Sequence, residues 1–541
     1  MAPDQQIRSV ELARFSRFIR LCPWRSVASA VRVAEVDSFS CGSASCRTGT
    51  IDILRLSSTV PLIILLLVIA VVIWLLVLLR ISVRVPLSEL RKFSPMHMVA
   101  LAVLLAGSVI GYEFFHVSGG PIPITIDRLL LGVLLVIAGC RWLKNHEDLR
   151  AINAMDMTLL GVIAILFFST FTHDFTFAKN LPLSRLLFFY LLPLGLYWVV
   201  RTAKFSQLDL SVISIAIGAL AVYLALTGIA EVKQLHALVF PKFIVDPTFT
   251  EFFGRGRGPF LNPVSNGIFQ VSGFCCIWFW WPRASQRFRV LIVVASAIVV
   301  VGIYATLTRS VWMTLIVVGG LGMLITTNRS QKGMLIIAGT LGAVLLLPVL
   351  GDKVFKFKRD KNVTESQMSE SAQLRPLFLT VAMRMFEERP ILGCGFGQYA
   401  QEKYPFLQDS RTGKPLSKTK VYLQHNVFLA YLTELGLTGL MLLLAMLGVM
   451  SRCAMMLWFD RQKTLEQRQY GLLLAAILIG YCVNGMFHDT SIMPMVNTLL
   501  FFIAGIVNNI QTAPATAVAP VMEATIAPTI RSQPRGFPAT G

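Results

Sequence analysis

The 541-residue chain is 55% apolar and 14% charged, and its 49 Lys and Arg exceed its 29 Asp and Glu to give a formal charge of +20. A soluble domain carries about 25% charged residues, and the mean hydropathy here is +0.67, so an ordinary soluble enzyme is excluded. Apolar runs long enough to cross a bilayer recur from Val60 to Ile510 with basic clusters between them, the pattern of an all-α polytopic membrane protein.

In chain order, residues 1–58 form a polar, basic N-terminal tail. Ten transmembrane helices are expected over 59–350, near 59–80, 97–113, 124–140, 156–171, 185–201, 209–228, 264–281, 289–307, 310–327 and 333–350. A loop domain follows over 351–424, and three last helices fall within 425–510, near 427–450, 469–486 and 493–510, for about 12 to 13 spans in all. Residues 511–541 are rich in Ala, Pro and Thr and read as a disordered cytoplasmic tail.

Orientation comes from the basic clusters. Those at Arg80 to Lys92, Arg141 to Arg150, Arg201 and Lys204, Arg283 to Arg289, Arg329 and Lys332, and Arg452 to Arg468 fall on alternate loops, which marks these as cytoplasmic. The extracytoplasmic side then holds 114–123, 172–184, 229–263, the turn at Arg309, the loop 351–424 and the turn at His488. The first 58 residues break the scheme: their eight Arg favour the cytoplasm, whereas parity puts them outside. Either the helix near 59–80 is an accessory span with an unusual flank, or it does not cross.

The basic excess would suggest nucleic acid in a soluble chain, but here topology accounts for it, and no nucleic-acid partner is expected. The nine Cys show no metal-ligand spacing, and Cys41 and Cys46 allow at most one disulfide. No metal site and no cofactor are expected.

A loop of the length of 351–424 needs internal order. Leu374, Leu377, Phe378, Val381, Ala382, Met385 and Phe386 follow helical spacing, so an amphipathic helix is expected, capped by Ser369 or Ser371 and ending before Pro390. Its stripe is expected to lie on the membrane surface or on the outer ends of the spans. The run Gly393-Cys394-Gly395-Phe396-Gly397 lacks a preceding strand and phosphate-loop spacing, and its glycines are read as a tight backbone path beneath the helix.

Three features on the extracytoplasmic side carry candidate chemistry: Arg255 and Arg257 in a Gly-rich stretch, Arg309 in a short turn, and His425-Asn426 opening a span. Arginine between apolar runs is costly unless paired or hydrated, and guanidinium binds phosphate oxygens bidentately. An imidazole that titrates near neutrality suits proton transfer from a hydroxyl. His488 with Asp489 and His173 with Asp174 are rival pairs, and spacing alone does not choose among them.

Four segments together resemble the successive motifs of the O-antigen ligase and O-antigen polymerase superfamily. They are Arg255-x-x-Gly258-Pro259-Phe260-x-Asn262-Pro263, Thr308-Arg309-Ser310, Glu388-Arg389-Pro390-x-Leu392-Gly393-x-Gly395-x-Gly397, and His425-Asn426-x-x-Leu429-x-x-x-x-Glu434-x-Gly436-x-x-Gly439. The likeness runs over roughly residues 97–510 and is most specific from Arg255 to Gly439. It implies a metal-independent membrane glycosyltransferase of the bacterial inner membrane, with its active site on the periplasmic face. Its donor would be an undecaprenyl-diphosphate-linked glycan, its acceptor the lipid A core of lipopolysaccharide, and its surroundings membrane lipids. The resemblance makes His425 the catalytic residue, Arg255 or Arg257 and Arg309 the donor-diphosphate contacts, and Asn426, Asn262, Arg389 and Glu434 supporting residues. Thr308 stands where Ser is commoner and Pro-Val-Ser at 263–265 where Pro-Asn is usual, which leaves the choice between Arg255 and Arg257 open.

Direct attack of the acceptor hydroxyl would invert the anomeric carbon. The same motifs would serve a polymerase acting on a lipid-linked glycan, or a protein O-oligosaccharyltransferase. A transporter or flippase is the alternative from another class, but it would carry ionisable residues at mid-membrane depth, of which these spans are nearly free.

Overall fold

A chain in hydrocarbon must satisfy its backbone within itself, and all the regular structure described here is helical. The computed structural model describes residues 95–116, 124–144, 151–173, 182–326, 365–408, 413 and 415–513. The N-terminal tail, the expected helices near 59–80 and 333–350, and most of the C-terminal tail lie outside these residues.

The spans expected before the loop appear as α1 (Pro95–Val109), α2 (Ile126–Lys144), α3 (Ala154–Thr172), α4 (Pro182–Thr202), α5 (Gln207–Val232), α6 (Pro263–Trp278), α7 (Gln286–Ala305) and α8 (Arg309–Thr326). The loop helix is α9 (Glu365–Glu388), and α10 (Val427–Glu434), α11 (Gly436–Phe459), α12 (Leu465–Gly485) and α13 (Pro494–Thr512) close the bundle. Six of these, α3, α4, α5, α7, α11 and α13, are long and apolar enough to cross a membrane. The chain is an all-α polytopic membrane protein.

Two expectations change. The run 427–450 is two helices: Gly436, at φ 65°, breaks the span after Glu434. The loop helix begins at Glu365, and its stripe of Leu374, Leu377, Phe378, Val381 and Met385 is buried with Cys394, Tyr399, Leu407 and Leu416 in a core of the loop's own. Of the two neighbours expected, the helix also packs on the outer end of a span, α10.

Burial orders the helices. The apolar window of α13 is 78% buried and that of α5 67%, against 33% for α7 and α11, so α13 and α5 are central and the others turn a face to lipid. α4 packs on α13, α5 on α6 and α7, and α11 on α12 and α3. Small residues set these approaches, as expected where dispersion replaces the hydrophobic effect: a Cβ on Gly273 would lie 2.2 Å from that of Ala221, and one on Gly302 2.3 Å from that of Ala225.

Side chains replace missing backbone bonds. Pro193 has no N–H for the Phe189 carbonyl, α4 takes a π turn over Leu187–Leu191, and Asn497 Nδ2 on α13 donates to that carbonyl at 3.0 Å. At the end where α3 begins, Asp156 accepts from Arg201 and Tyr197, each at 2.6 Å, and from Asn508 at 3.0 Å. That buried network ties α3, α4 and α13 together. The opposite end, where α5 and α7 finish and α6 and α8 start, is the loop end.

Gly302→Val would force α7 off α5. Such overpacking costs about 1–3 kcal/mol, and we expect a lower melting temperature for the detergent-solubilised variant in a tryptophan-fluorescence thermal scan.

Candidate active site at the loop end

The segment between α5 and α6 carries both Gly-flanked arginines, and their surroundings differ. Arg257 is fully buried. Its Nε donates to Glu231 Oε1 at 3.0 Å, its NH2 group to the Ile244 carbonyl at 2.8 Å, and its NH1 group to the carbonyls of Phe249 and Glu251. The second Glu231 oxygen accepts from the backbone N–H groups of Arg257 and Gly258. Arg257, grouped with Arg255 as a phosphate contact on sequence, is thus spent inside the protein: it pins the 233–257 segment to the end of α5 and has no exposed surface to offer a ligand.

Arg255 remains partly exposed, its guanidinium 5.3 Å from the Phe252 ring centroid. The glycine after it serves packing. Gly256 lies where a Cβ would meet Gly228 Cα at 3.2 Å and the Ala305 carbonyl at 3.0 Å; its N–H donates to Ala305 at 2.9 Å, and its carbonyl accepts from Asn266. The Arg255 segment is thereby fastened to the residue four before Arg309. Asn262 caps α6, accepting from the N–H groups of Val264 and Ser265. The adjoining turn Pro259-Phe260-Leu261 lines a cavity of about 290 Å³ shared with Gly107, Arg128 and Met495.

Arg309 is the first residue of α8, after a turn that places Leu307 at φ 50°. Thr308 is buried and its carbonyl accepts from the N–H groups of Val311 and Trp312, so the arginine is held at the helix start.

The loop supplies a residue that sequence reasoning missed. Arg375, on α9 next to Leu374, stacks its guanidinium 5.1 Å from the Phe487 ring centroid in the turn after α12. Partial desolvation, and after it the charge of Arg309, push the Arg375 guanidinium below its ordinary value. It nonetheless stays charged at any physiological pH. The sequence carries only a weak signal for it, a cation beside the first position of an apolar stripe.

His425 completes the group. Its ring meets Phe378 of α9 edge to face at 5.4 Å and Tyr422 at 6.3 Å. Desolvation of the imidazole, and then the charge of Arg375, lower its pKa below 6.5. Asn426 fixes it from the other side, capping α10 through the N–H groups of Phe428 and Leu429 and donating to the Met486 carbonyl at 3.1 Å. Arg309 is within electrostatic reach of Arg375, and Arg375 of His425, while the Arg255 segment is fastened to the α7 end four residues before Arg309.

The rival pairs have partners of their own, although His488 directly follows Phe487, the residue on which Arg375 stacks. His173 bonds to the Ser169 carbonyl and packs beneath Gly395, where a Cβ would come within 2.7 Å of the ring; Asp174 is outside the described residues. Asp489 caps its own turn through Ser491. Arg389 forms a half-exposed ion pair with Glu402 inside the loop at 3.0 Å.

Glu434 joins loop to bundle. Its carboxylate accepts from Gly397 N–H at 2.9 Å, while the Cys394 and Gly395 N–H groups donate to the carbonyls of Thr433 and Glu434, each at 2.9 Å. Gly393, Gly395 and Gly397 all have positive φ, and a Cβ on Gly393 would strike the Glu434 backbone at 2.5 Å. The glycine run is a close backbone path. Among the described residues no three His, Cys, Asp or Glu side chains converge as a metal-ligating group.

A helical bundle whose loop end carries several arginines beneath a docked loop defines a polytopic membrane protein. Residues 291–444 match the family model described as O-Antigen ligase; this part of the chain is similar to the O-antigen ligase-like superfamily, a likeness that implies a membrane glycosyltransferase-type function with lipid-linked glycan and glycan acceptor partners in general. The match covers α7 through the start of α11, and so includes Arg309, Arg375 and His425 but not Arg255 or Arg257. No curated protein matches the chain.

Two outcomes are expected. Arg257→Ala leaves Glu231 buried and unpaired, a change that typically costs about 3–5 kcal/mol, so its melting temperature falls well below that of Arg255→Ala, which should stay near wild type. For His425, the imidazole is harder to protonate in the folded chain than unfolded, so its contribution to stability is present above 6.5 and is lost as pH falls through the folded value. Modification of His425 by diethyl pyrocarbonate, followed by peptide mass spectrometry, should show a midpoint below 6.5 that moves up toward it in Arg375→Gln; an unmoved midpoint would separate the two residues.

Proposed function

We propose that this protein transfers a glycan from undecaprenyl diphosphate to an acceptor hydroxyl at the periplasmic face of the bacterial inner membrane, in the manner of an O-antigen ligase with the lipid A core as acceptor. The observation that carries this reading is the meeting of Arg309 on α8 and Arg375 on α9 beside His425. Guanidinium groups bind phosphate oxygens bidentately, and a lipid diphosphate at a membrane surface is an anion that two of them suit.

The chemistry follows from the charges. The imidazole, neutral at pH 7, takes the proton of the acceptor hydroxyl. The hydroxyl oxygen attacks the anomeric carbon, the bond from that carbon to the diphosphate oxygen breaks, and its electron pair leaves on the diphosphate. Arg309 and Arg375, with Arg255 at the edge, stabilise the charge that develops there. Attack from the face opposite the leaving group inverts the anomeric centre. Arg257 has no part in this and acts as the tie beneath the Arg255 segment. Asn262 and Asn426 act as caps that aim the helices, and Glu434 holds the loop.

The test uses purified protein in liposomes with a labelled undecaprenyl-diphosphate glycan and a chelator, with and without lipid A core. Label should move to the core, and His425→Ala or Arg309→Ala should lose about 100-fold to 1,000-fold in rate, the typical effect of removing one charge-stabilising donor. A ladder of longer glycans on the lipid carrier would instead make the acceptor lipid-linked, and label on protein would make it a protein hydroxyl. Label moving across the bilayer unchanged would sink the transferase reading.

A further inference from the structure

His425 stands at the end of a segment, 415–426, whose only regular structure is the single 3₁₀ turn Leu416–Thr419. Something outside that segment must hold it still. Gln424 Nε2 donates to Thr433 Oγ1 at 3.1 Å and fastens one end to α10. The other end is held by Lys403, which is 1% exposed. Its ammonium donates to the Thr419 carbonyl at 3.1 Å and to the Tyr422 carbonyl, and lies 5.4 Å from the Tyr399 ring centroid. Tyr422 N–H in turn donates to Thr419, so the two carbonyls bracket one turn.

A buried ammonium is costly, and carbonyls with an aromatic face compensate it less than a carboxylate would. Burial lowers the Lys403 pKa to about 8, which leaves it cationic at neutral pH with three N–H donors to give. Lys403 also follows directly on the short helix Tyr399–Glu402, which leads out of the glycine run held by Glu434. The ammonium therefore connects the seam between loop and bundle to the turn that carries the Tyr422 ring, 6.0 Å from Phe378 and 6.3 Å from His425.

We propose that Lys403 is the positioning residue for His425, acting through the Thr419 and Tyr422 carbonyls to fix the aromatic wall of Tyr422 and Phe378 against which the imidazole is set. The inference rests on the reading of His425 as the base. Lysine suits the place because its ammonium reaches both carbonyls with a charge; a hydrophobe of equal length would leave the Tyr422 carbonyl without this donor and the Thr419 carbonyl with only the Tyr422 N–H.

The experiment compares full-length wild type, Lys403→Met, Lys403→Arg and Tyr422→Ala in the liposome assay, with His425 modification by diethyl pyrocarbonate followed across pH in the same samples. Lys403→Met should lower kcat at least tenfold with donor KM within about twofold, and raise the modification rate of His425 several-fold with its midpoint moving toward 6.5; Lys403→Arg should recover part of both. Tyr422 is 44% exposed, so its replacement spares folding and should reproduce the modification change if Lys403→Met fails to insert. A melting temperature that falls while kcat per folded protein and the His425 profile stay at wild type would overturn the proposal, as would an unchanged profile in Tyr422→Ala. Absence of transfer in wild type would overturn the transferase reading alone, and the modification profile would still decide the role of Lys403.

Discussion

Gly436 has φ 65°, and the helix begun at Val427 cannot run through it. The break leaves carbonyls at the end of α10 and N–H groups at the start of α11 without intrahelical partners, and at membrane depth each such group must be satisfied by protein. The loop supplies them: Leu437 and Thr438 N–H groups donate to the Pro390 and Ile391 carbonyls, and Thr433 and Glu434 carbonyls accept from Cys394 and Gly395. This seam carries the loop domain, and the loop domain carries Arg375, Lys403 and the aromatic wall beside His425. Without the interrupted helix there is no docked loop, and without the loop the bundle end has arginines but no imidazole set against an aromatic wall.

The bundle was largely legible in the sequence because apolar runs and basic loops report directly on burial in lipid. The helix of the loop and the close backbone path of the glycine run were legible for similar reasons, periodicity in one case and the absence of side chains in the other. The break at Gly436 was not, since the apolar pattern runs on past it from Val427 to Val449. The stripe of α9 was read as a stripe with two possible neighbours, the membrane surface or the outer ends of the spans; it meets α10 as well as a core of the loop's own, which periodicity could not show because it says which face is buried and nothing of what covers it.

The site was legible only in part. Arg255 and Arg257 have the same flanks, and what separates them is Glu231, twenty-six residues before Arg257, an acid in the last turn of an apolar helix. An intramembrane carboxylate asks for a cation, and asking which one would have divided the pair. Arg375 escaped because it belongs to no motif; only the docking of α9 against α10 and the turn at Phe487 brings it to His425. The asparagines were found by motif, and the structure gives them a physical task as caps that set where α6 and α10 begin.

The seam has one further property. Four of its hydrogen bonds run from main chain to main chain, and the side chains it requires are few: glycines where a Cβ would collide and one glutamate. Attachment of the loop is therefore nearly independent of what the loop says between residues 404 and 421. A joint of that kind lets a lineage replace the surface that meets the acceptor while keeping the membrane scaffold and the histidine that follows it, much as a tool holder accepts different bits.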